Sequence, residues 1–240
     1  MLIFFLLLIP QAIAPDSILN EVDQRLARIR TIQGEIRREI HLSRAGKMEM
    51  VGKFYIVLPN RLRFDFALPD EQYFITDGRF LWVYNPEKNE LITRDIGNIQ
   101  PVEKHGIGAL MDFGASLLTL MSKNYSLKLD YKGRLLKYNI YLISGVARDT
   151  SSPTNKILIW IDQDNYLIRR FETYGKKGNL TSIYVVEKEK VFNDSITIPV
   201  QYEIRVGTKG GLMRIKNYLS LIELNTAIPE SLFIPPRMEE

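Results

Sequence analysis

Gly52-Lys53-Phe54-Tyr55-Ile56-Val57-Leu58-Pro59-Asn60-Arg61-Leu62-Arg63-Phe64-Asp65-Phe66 is the stretch that decides the fold. An apolar run reaches Pro59-Asn60, and from Arg61 polar and apolar residues alternate strictly through Phe66. Successive side chains of a strand point to opposite faces, so this alternation predicts a strand with one face in a core and one in water. Proline followed by asparagine is a turn signal. A parallel pair would need a long crossover, so strand, turn and strand in so few residues read as an antiparallel hairpin.

Working outward, turn signals recur at strand spacing. Ala45-Gly46, Pro69-Asp70, Asp77-Gly78 and Asn85-Pro86-Glu87-Lys88-Asn89 divide Met48–Leu58, Gln72–Thr76, Arg79–Tyr84 and Glu90–Arg94, all rich in Phe, Tyr, Ile and Val. Later, Ser126–Tyr131 and Arg134–Ile143 flank Lys132-Gly133, and Lys156–Asp162 and Tyr166–Tyr174 flank Gln163-Asp164-Asn165. Leu180–Val191, Val200–Val206 and Met213–Leu224 follow, separated by the loops Gly175–Gly178 and Gly207–Gly211. The spacing predicts roughly ten to twelve strands in an antiparallel meander.

Two segments break the pattern. From Ser17 to Gln33, Ile18, Leu19, Val22, Leu26, Ile29 and Ile32 recur at helical spacing after Pro15 and Asp16, which predicts an amphipathic helix. From Lys104 to Lys123, Ile107, Leu110, Met111, Phe113, Leu117, Leu118, Leu120 and Met121 form a wider apolar stripe flanked by Gly108, Ala109, Gly114 and Ala115. A helix that apolar is covered on more than one side. A sheet of this size closes into a barrel, packs on a second sheet, or curls beneath helices. Apolar helices favour the last solution, a mainly β fold with helices. The expected product is an apolar cavity bordered by Phe64, Phe66, Trp82, Tyr84, Met111, Phe113 and Leu117. Each buried methylene contributes ~0.8 kcal/mol, so one long acyl chain represents on the order of 10 kcal/mol. Binding such cargo needs no catalytic group, and the expectation is a non-enzyme.

Composition narrows the chemistry. The chain has 240 residues, 45% apolar and 25% charged, as ordinary globular domains do, and no repeat or linker divides it. A net charge of +4, scattered along the chain, is no nucleic-acid footprint. With no cysteine, this chain offers no disulfide, thiolate metal site, Cys nucleophile or lipid-modified Cys. His41 and His105 are its only histidines, too few for a multi-histidine metal site. Leu2–Ile9 is an unbroken apolar run followed by Ala12-Ile13-Ala14, which reads as an export signal over residues 1–14 before one domain over residues 15–240. Asp162-x-Asp164-x-Tyr166 lacks the glycine and distal glutamate of a calcium loop and reads as a hairpin turn. Gly114-Ala115-Ser116 lacks the last glycine of a nucleophile elbow and reads as part of an apolar helix. No cofactor or metal is expected.

Gly52 to Phe64 resembles the glycine, strand, proline and aromatic series of the outer-membrane lipoprotein carrier family of Gram-negative bacteria. Asp77-Gly78-Arg79-Phe80-Leu81-Trp82-Val83-Tyr84-Asn85-Pro86 is similar to that family's DGK-x-LW-x-YNP hairpin, and Asn225–Phe233 to its closing segment. The resemblance implies a strongly curved antiparallel sheet forming an incomplete barrel under a helical lid. It also implies a periplasmic, monomeric carrier that takes acylated lipoproteins from an inner-membrane ABC release complex to an outer-membrane acceptor. One position departs: the family commonly has Arg before the motif proline, where it is thought to hold the lid shut, and here that residue is Leu58. A lipid-sensing or scaffold module that binds a partner protein is the alternative the same fold allows.

Overall fold

The computed structural model describes residues 13–43, 46–96, 117–193, 195–208 and 211–235. Its first element is the helix α1, Pro15–Leu26. Proline at the first helical position has no N–H to leave unpaired, and Asp16 in the first turn and Arg25 in the last complement the helix dipole. Ile18, Leu19 and Val22 form its buried stripe.

The helix is shorter than the periodicity of residues 17–33 predicts. The strand β1, Thr31–Leu42, begins where the last turn of that helix is expected. The reason is tertiary. Asn225 Oδ1 accepts a hydrogen bond from the Arg30 amide at 2.7 Å, and Asn225 Nδ2 donates to the Arg28 carbonyl at 3.0 Å. The backbone of Thr31 is also paired, accepting from the Asn225 amide at 2.9 Å. The clasp takes groups a continuing helix would use, and Ile29 and Ile32 join a sheet core instead.

Among the described residues twelve further strands follow: β2 Gly46–Val57, β3 Arg61–Leu68, β4 Gln72–Thr76, β5 Phe80–Asn85, β6 Glu90–Asp95, β7 Tyr125–Leu135, β8 Tyr138–Ala147, β9 Thr154–Asp162, β10 Ile168–Gly175, β11 Leu180–Phe192, β12 Ile196–Thr208 and β13 Gly211–Leu224. A second helix, α2, Leu117–Asn124, precedes β7, and a 3-10 turn, Glu230–Phe233, follows β13. The strands form one antiparallel sheet ordered β6-β5-β4-β3-β2-β1-β13-β12-β11-β10-β9-β8-β7. The expected mainly β architecture is therefore present, a curved antiparallel sheet that does not close on itself, with helices against one face. Its two meanders are joined by the pairing of β1 with β13.

Among the described residues the turns fall where the sequence placed them, with one exception; Ala45 and Lys209-Gly210 lie outside the described residues. Asp77 Oδ1 accepts from the Arg79 and Phe80 amides, and Asn85 Oδ1 from that of Lys88, so each residue closes its turn with its own side chain. Asp162 Oδ1 does the same for Asp164, in the expected hairpin. Lys132-Gly133, read as a turn, lies inside β7, and the chain reverses at Leu136, which takes a positive φ of 56°. Beside Gly133 lies the exposed Tyr131 side chain, whose hydroxyl a Cβ there would meet at 2.6 Å.

Candidate ligand-binding face

Register sorts the side chains of this sheet into two faces of opposite chemistry. Along one face a cross-strand row runs from Ile40 through Ile215, Ile204, Tyr184 and Phe171 to Ile159 and Ile143, so seven neighbouring strands each contribute an apolar residue. The opposite face carries ion pairs. Glu203 accepts from Arg214 Nε at 2.6 Å and is also paired with Arg205, while Lys216 Nζ reaches Glu187 at 3.0 Å. Burial pushes the Glu203 carboxyl up, but the hydrogen bonds from Arg214 and Arg205 outweigh it and hold the group below its ordinary value.

The apolar face has two differently furnished parts. Over β7 to β10, Ile18, Leu19 and Val22 of α1 and Met121 of α2 pack on Ile143, Ile157, Ile159 and Ile161. Those four isoleucines have 0% exposure. The helices are tied to each other by Ser122 Oγ, 2.7 Å from Asp16 Oδ1. Over β1 to β3 and β12 to β13 the face is lined by the buried side chains of Ile36, Phe54, Phe64, Phe66, Tyr202 and Ile215, and among the described residues the cluster there contains no residue of either helix. Phe64 and Phe66 stack at 5.7 Å between centroids, and Phe66 meets Phe74 edge-on at 5.8 Å. Gly52 lets β2 and β3 approach here, because a Cβ on it would lie 2.0 Å from the Asp65 carbonyl oxygen.

The residues expected to border a cavity are divided by this geometry. Phe64 and Phe66 lie together on the apolar face. Trp82 does not join them: it is in register with Ile75 and Arg63, and Tyr84 with Tyr73 and Asp65, which places both on the opposite face. There Trp82 packs on Phe80, with centroids 5.8 Å apart, and Tyr84 stacks on Tyr73 at 6.0 Å. Val83, in register with Phe74 and Phe64, takes the inward position. Both phases of Phe80–Tyr84 are apolar, so alternation alone could not choose between them. Leu117 opens α2; Met111 and Phe113, like His105 and Gly114–Ser116, lie outside the described residues.

Sequence reading missed a polar group in the apolar face. Arg38 is 6% exposed, its guanidinium 4.8 Å from the Phe64 centroid and its Nε 2.8 Å from Asn217 Oδ1. Burial lowers its pKa from the ordinary arginine value and pushes the nearby Tyr202 hydroxyl well up. The signal was available: in Ile36-Arg37-Arg38-Glu39-Ile40, Arg38 shares the phase of two isoleucines. The two other motifs anchor the structure. Gly78 sits so close to Asn60 that a Cβ would meet the Asn60 Cβ at 2.6 Å, locking the two hairpin turns together. The tail docks on β3 through Arg63 Nη1, which donates to the Leu232 carbonyl at 2.7 Å, and through the Arg61–Glu230 pair at 3.2 Å.

Residues 40–196 match the family described as outer membrane lipoprotein carrier protein LolA. The chain belongs to that family. An outer-membrane lipoprotein carrier protein from Methylibium petroleiphilum is 36% identical over 53 residues, 22% of this chain and 26% of that relative. The match thus spans about a quarter of the relative's length. The fold is shared more widely. A LolA superfamily protein from Nitrosomonas europaea superposes with a TM-score of 0.63 at 17% identity, covering 93% of this chain and 99% of that one. A DUF1329 family protein from Desulfovibrio piger gives 0.68 at 13% identity, over 91% and 95%. Among the described residues of this LolA family member, no helix is long and apolar enough to cross a membrane, and no cluster of three or more metal-ligating side chains occurs.

Proposed function

We propose that this chain is a periplasmic carrier that holds acyl chains of lipoproteins against the apolar face of its sheet and shuttles them from the inner to the outer membrane. The observation that carries the reading is the continuous apolar row spanning β1, β13 and β12 to β8 on an unclosed sheet. Part of it lies beneath α1 and α2 and part is lined with aromatic side chains. An aromatic and branched-aliphatic surface recognises hydrocarbon by area, not by hydrogen bonds, and each methylene moved onto it contributes about 0.8 kcal/mol. Phe64 and Phe66 would touch the chain, and Met111, Phe113 and Leu117 are proposed to cover it. Residues 1–14 would serve as the export signal and residues 15–240 as one carrier domain. An inner-membrane ABC release complex and an outer-membrane acceptor are the proposed partners.

Mass spectrometry of lipid and lipoprotein co-purifying with the protein from a Gram-negative envelope tests the reading. Acylated species are expected at near-stoichiometric level and lost in Phe66→Asp. Protein free of acyl chains, with unchanged content in the variant, defeats it. Transfer of bound lipoprotein to acceptor membranes separates a carrier from a lipid sensor, which keeps its ligand.

A further inference from the structure

We propose that Arg38, Asn217 and Tyr202 form a binding site for the oxyanion head of an amphiphile whose hydrocarbon tail lies on the apolar face. The proposal deepens the acyl-binding reading and rests on it for the tail, whereas the head site stands on separate observations.

Among the described residues two arginines are buried beside this face, and they are treated differently. Arg169 donates to Asp162 at 2.7 and 2.9 Å and pairs with Glu189 at 2.8 Å, so two carboxylates balance its charge. Arg38 pairs with no carboxylate among the described residues. Its contacts are the neutral Asn217 oxygen and the faces of Phe64 and Phe66, 4.8 and 5.3 Å from the guanidinium carbon. A buried charge without a counter-charge is costly, and aromatic faces offset only part of that cost.

The neighbours of Arg38 have spare valences of one kind. Asn217 is 0% exposed and Tyr202 1%, and the Asn217 Nδ2 and Tyr202 Oη atoms are buried without a hydrogen-bond partner among the described residues. The three residues form one cross-strand row, Arg38 opposite Asn217 and Asn217 opposite Tyr202. Asn217 Oδ1 is already taken by Arg38, so what the row can still offer a ligand is N–H and O–H groups around a positive charge. A neutral ester carbonyl would accept one or two of those bonds and leave the charge unbalanced. An oxyanion satisfies donors and charge together, and two oxygens in a plane match the guanidinium fork. The carboxylate of a fatty acid and the phosphate of a phospholipid both have this chemistry.

The experiment uses the full chain stripped of lipid and measures displacement of a fluorescent acyl probe by palmitate against methyl palmitate, and by dipalmitoyl phosphatidate against dipalmitoylglycerol. The charged member of at least one pair is expected to compete about 10- to 100-fold better than its neutral partner. Preference in the first pair identifies a carboxylate head, and in the second a phosphate. Arg38→Met should erase the preference while neutral lipids still bind, and Tyr202→Phe, which removes only the hydroxyl, should reduce it about 3- to 10-fold. Equal competition within both pairs, or a preference that survives Arg38→Met, overturns the head site and leaves the acyl-binding reading standing. Failure of the probe itself to bind overturns both. Should Arg38→Met not fold, the Tyr202→Phe measurement decides, and no change in preference there sinks the proposal.

Discussion

The two ends of one apolar face are built by different means. From β7 to β10 the face is roofed by α1 and α2, and its isoleucines interlock with helix side chains as a protein interior does. From β3 across β1 to β12 the face is surfaced with phenylalanines, a tyrosine and a buried arginine. A packed isoleucine layer is a device for stability. Stacked rings beside a guanidinium that has no carboxylate partner among the described residues offer a hydrocarbon surface next to a charge, the combination the proposed ligand needs. On the proposed reading, the first region supplies stability and the second also supplies binding.

Two glycines sharpen that contrast most. A Cβ on Gly52 meets backbone, the Asp65 carbonyl oxygen at 2.0 Å, whereas the nearest atoms to a Cβ on Gly145 belong to side chains, with Ile157 Cγ1 at 2.8 Å. Gly52→Ala is expected to cost more than about 3 kcal/mol and to spread β2 from β3, and Gly145→Ala less than about 2, because a rotamer can yield and a strand cannot. Urea denaturation of both variants checks the order, and equal losses would break the comparison.

Truncation of one large residue in each region comes next. Ile159→Ala should lower stability by about 2–5 kcal/mol while leaving acyl-chain affinity unchanged. Phe64→Ala, at a side chain only 1% exposed, should cost about 3–5 kcal/mol and, unlike Ile159→Ala, weaken acyl binding as well. Paired melts and probe titrations separate the two outcomes. If Phe64→Ala behaves as a core deletion with intact binding, the assignment of binding to this region is wrong.

Smaller effects are expected where the regions are joined. Asn225→Ala removes hydrogen bonds to Arg28 and Arg30 at the entry to β1 and should cost about 1–2 kcal/mol, with amide exchange accelerating first at the start of β1. The ion pairs of the opposite face should appear as a shallow acid limb. The Glu203 carboxyl is held below its ordinary value of 4.5, so the folded state binds fewer protons than the unfolded one there. Its contribution is complete above that value and is lost as pH falls through the lower folded value. Stability measured against pH should decline below about 4.5 and do so less steeply in Glu203→Gln.

Much of this architecture was legible residue by residue. Asp77, Asn85 and Asp162 close turns through their own side chains, so a local signal produced a local structure. The strands between were readable for the same reason. Reading failed where several conformations satisfied the local signal. Ile29 and Ile32 fit a helical stripe as well as a strand, and only the clasp by Asn225, nearly two hundred positions away, decides. Trp82 and Tyr84 alternate with Leu81 and Val83, and apolar residues in both phases leave the inward side undetermined. Of the expected cavity residues, Phe64 and Phe66 share one face because Arg61-Leu62-Arg63-Phe64-Asp65-Phe66 gives a single apolar phase.

By itself, then, the sequence determined the alternation of strands and turns, the antiparallel class and the family signature, all written within spans of a few residues. Only the tertiary structure decided that β1 lies beside β13, that the helices roof β7 to β10, and that Arg38 is buried beside Asn217 and Tyr202 with no carboxylate partner among the described residues. The physical reason is range. A turn is closed by neighbouring atoms, whereas a cross-strand partner drawn from the far end of the chain is chosen by how much apolar surface the whole sheet can cover at once.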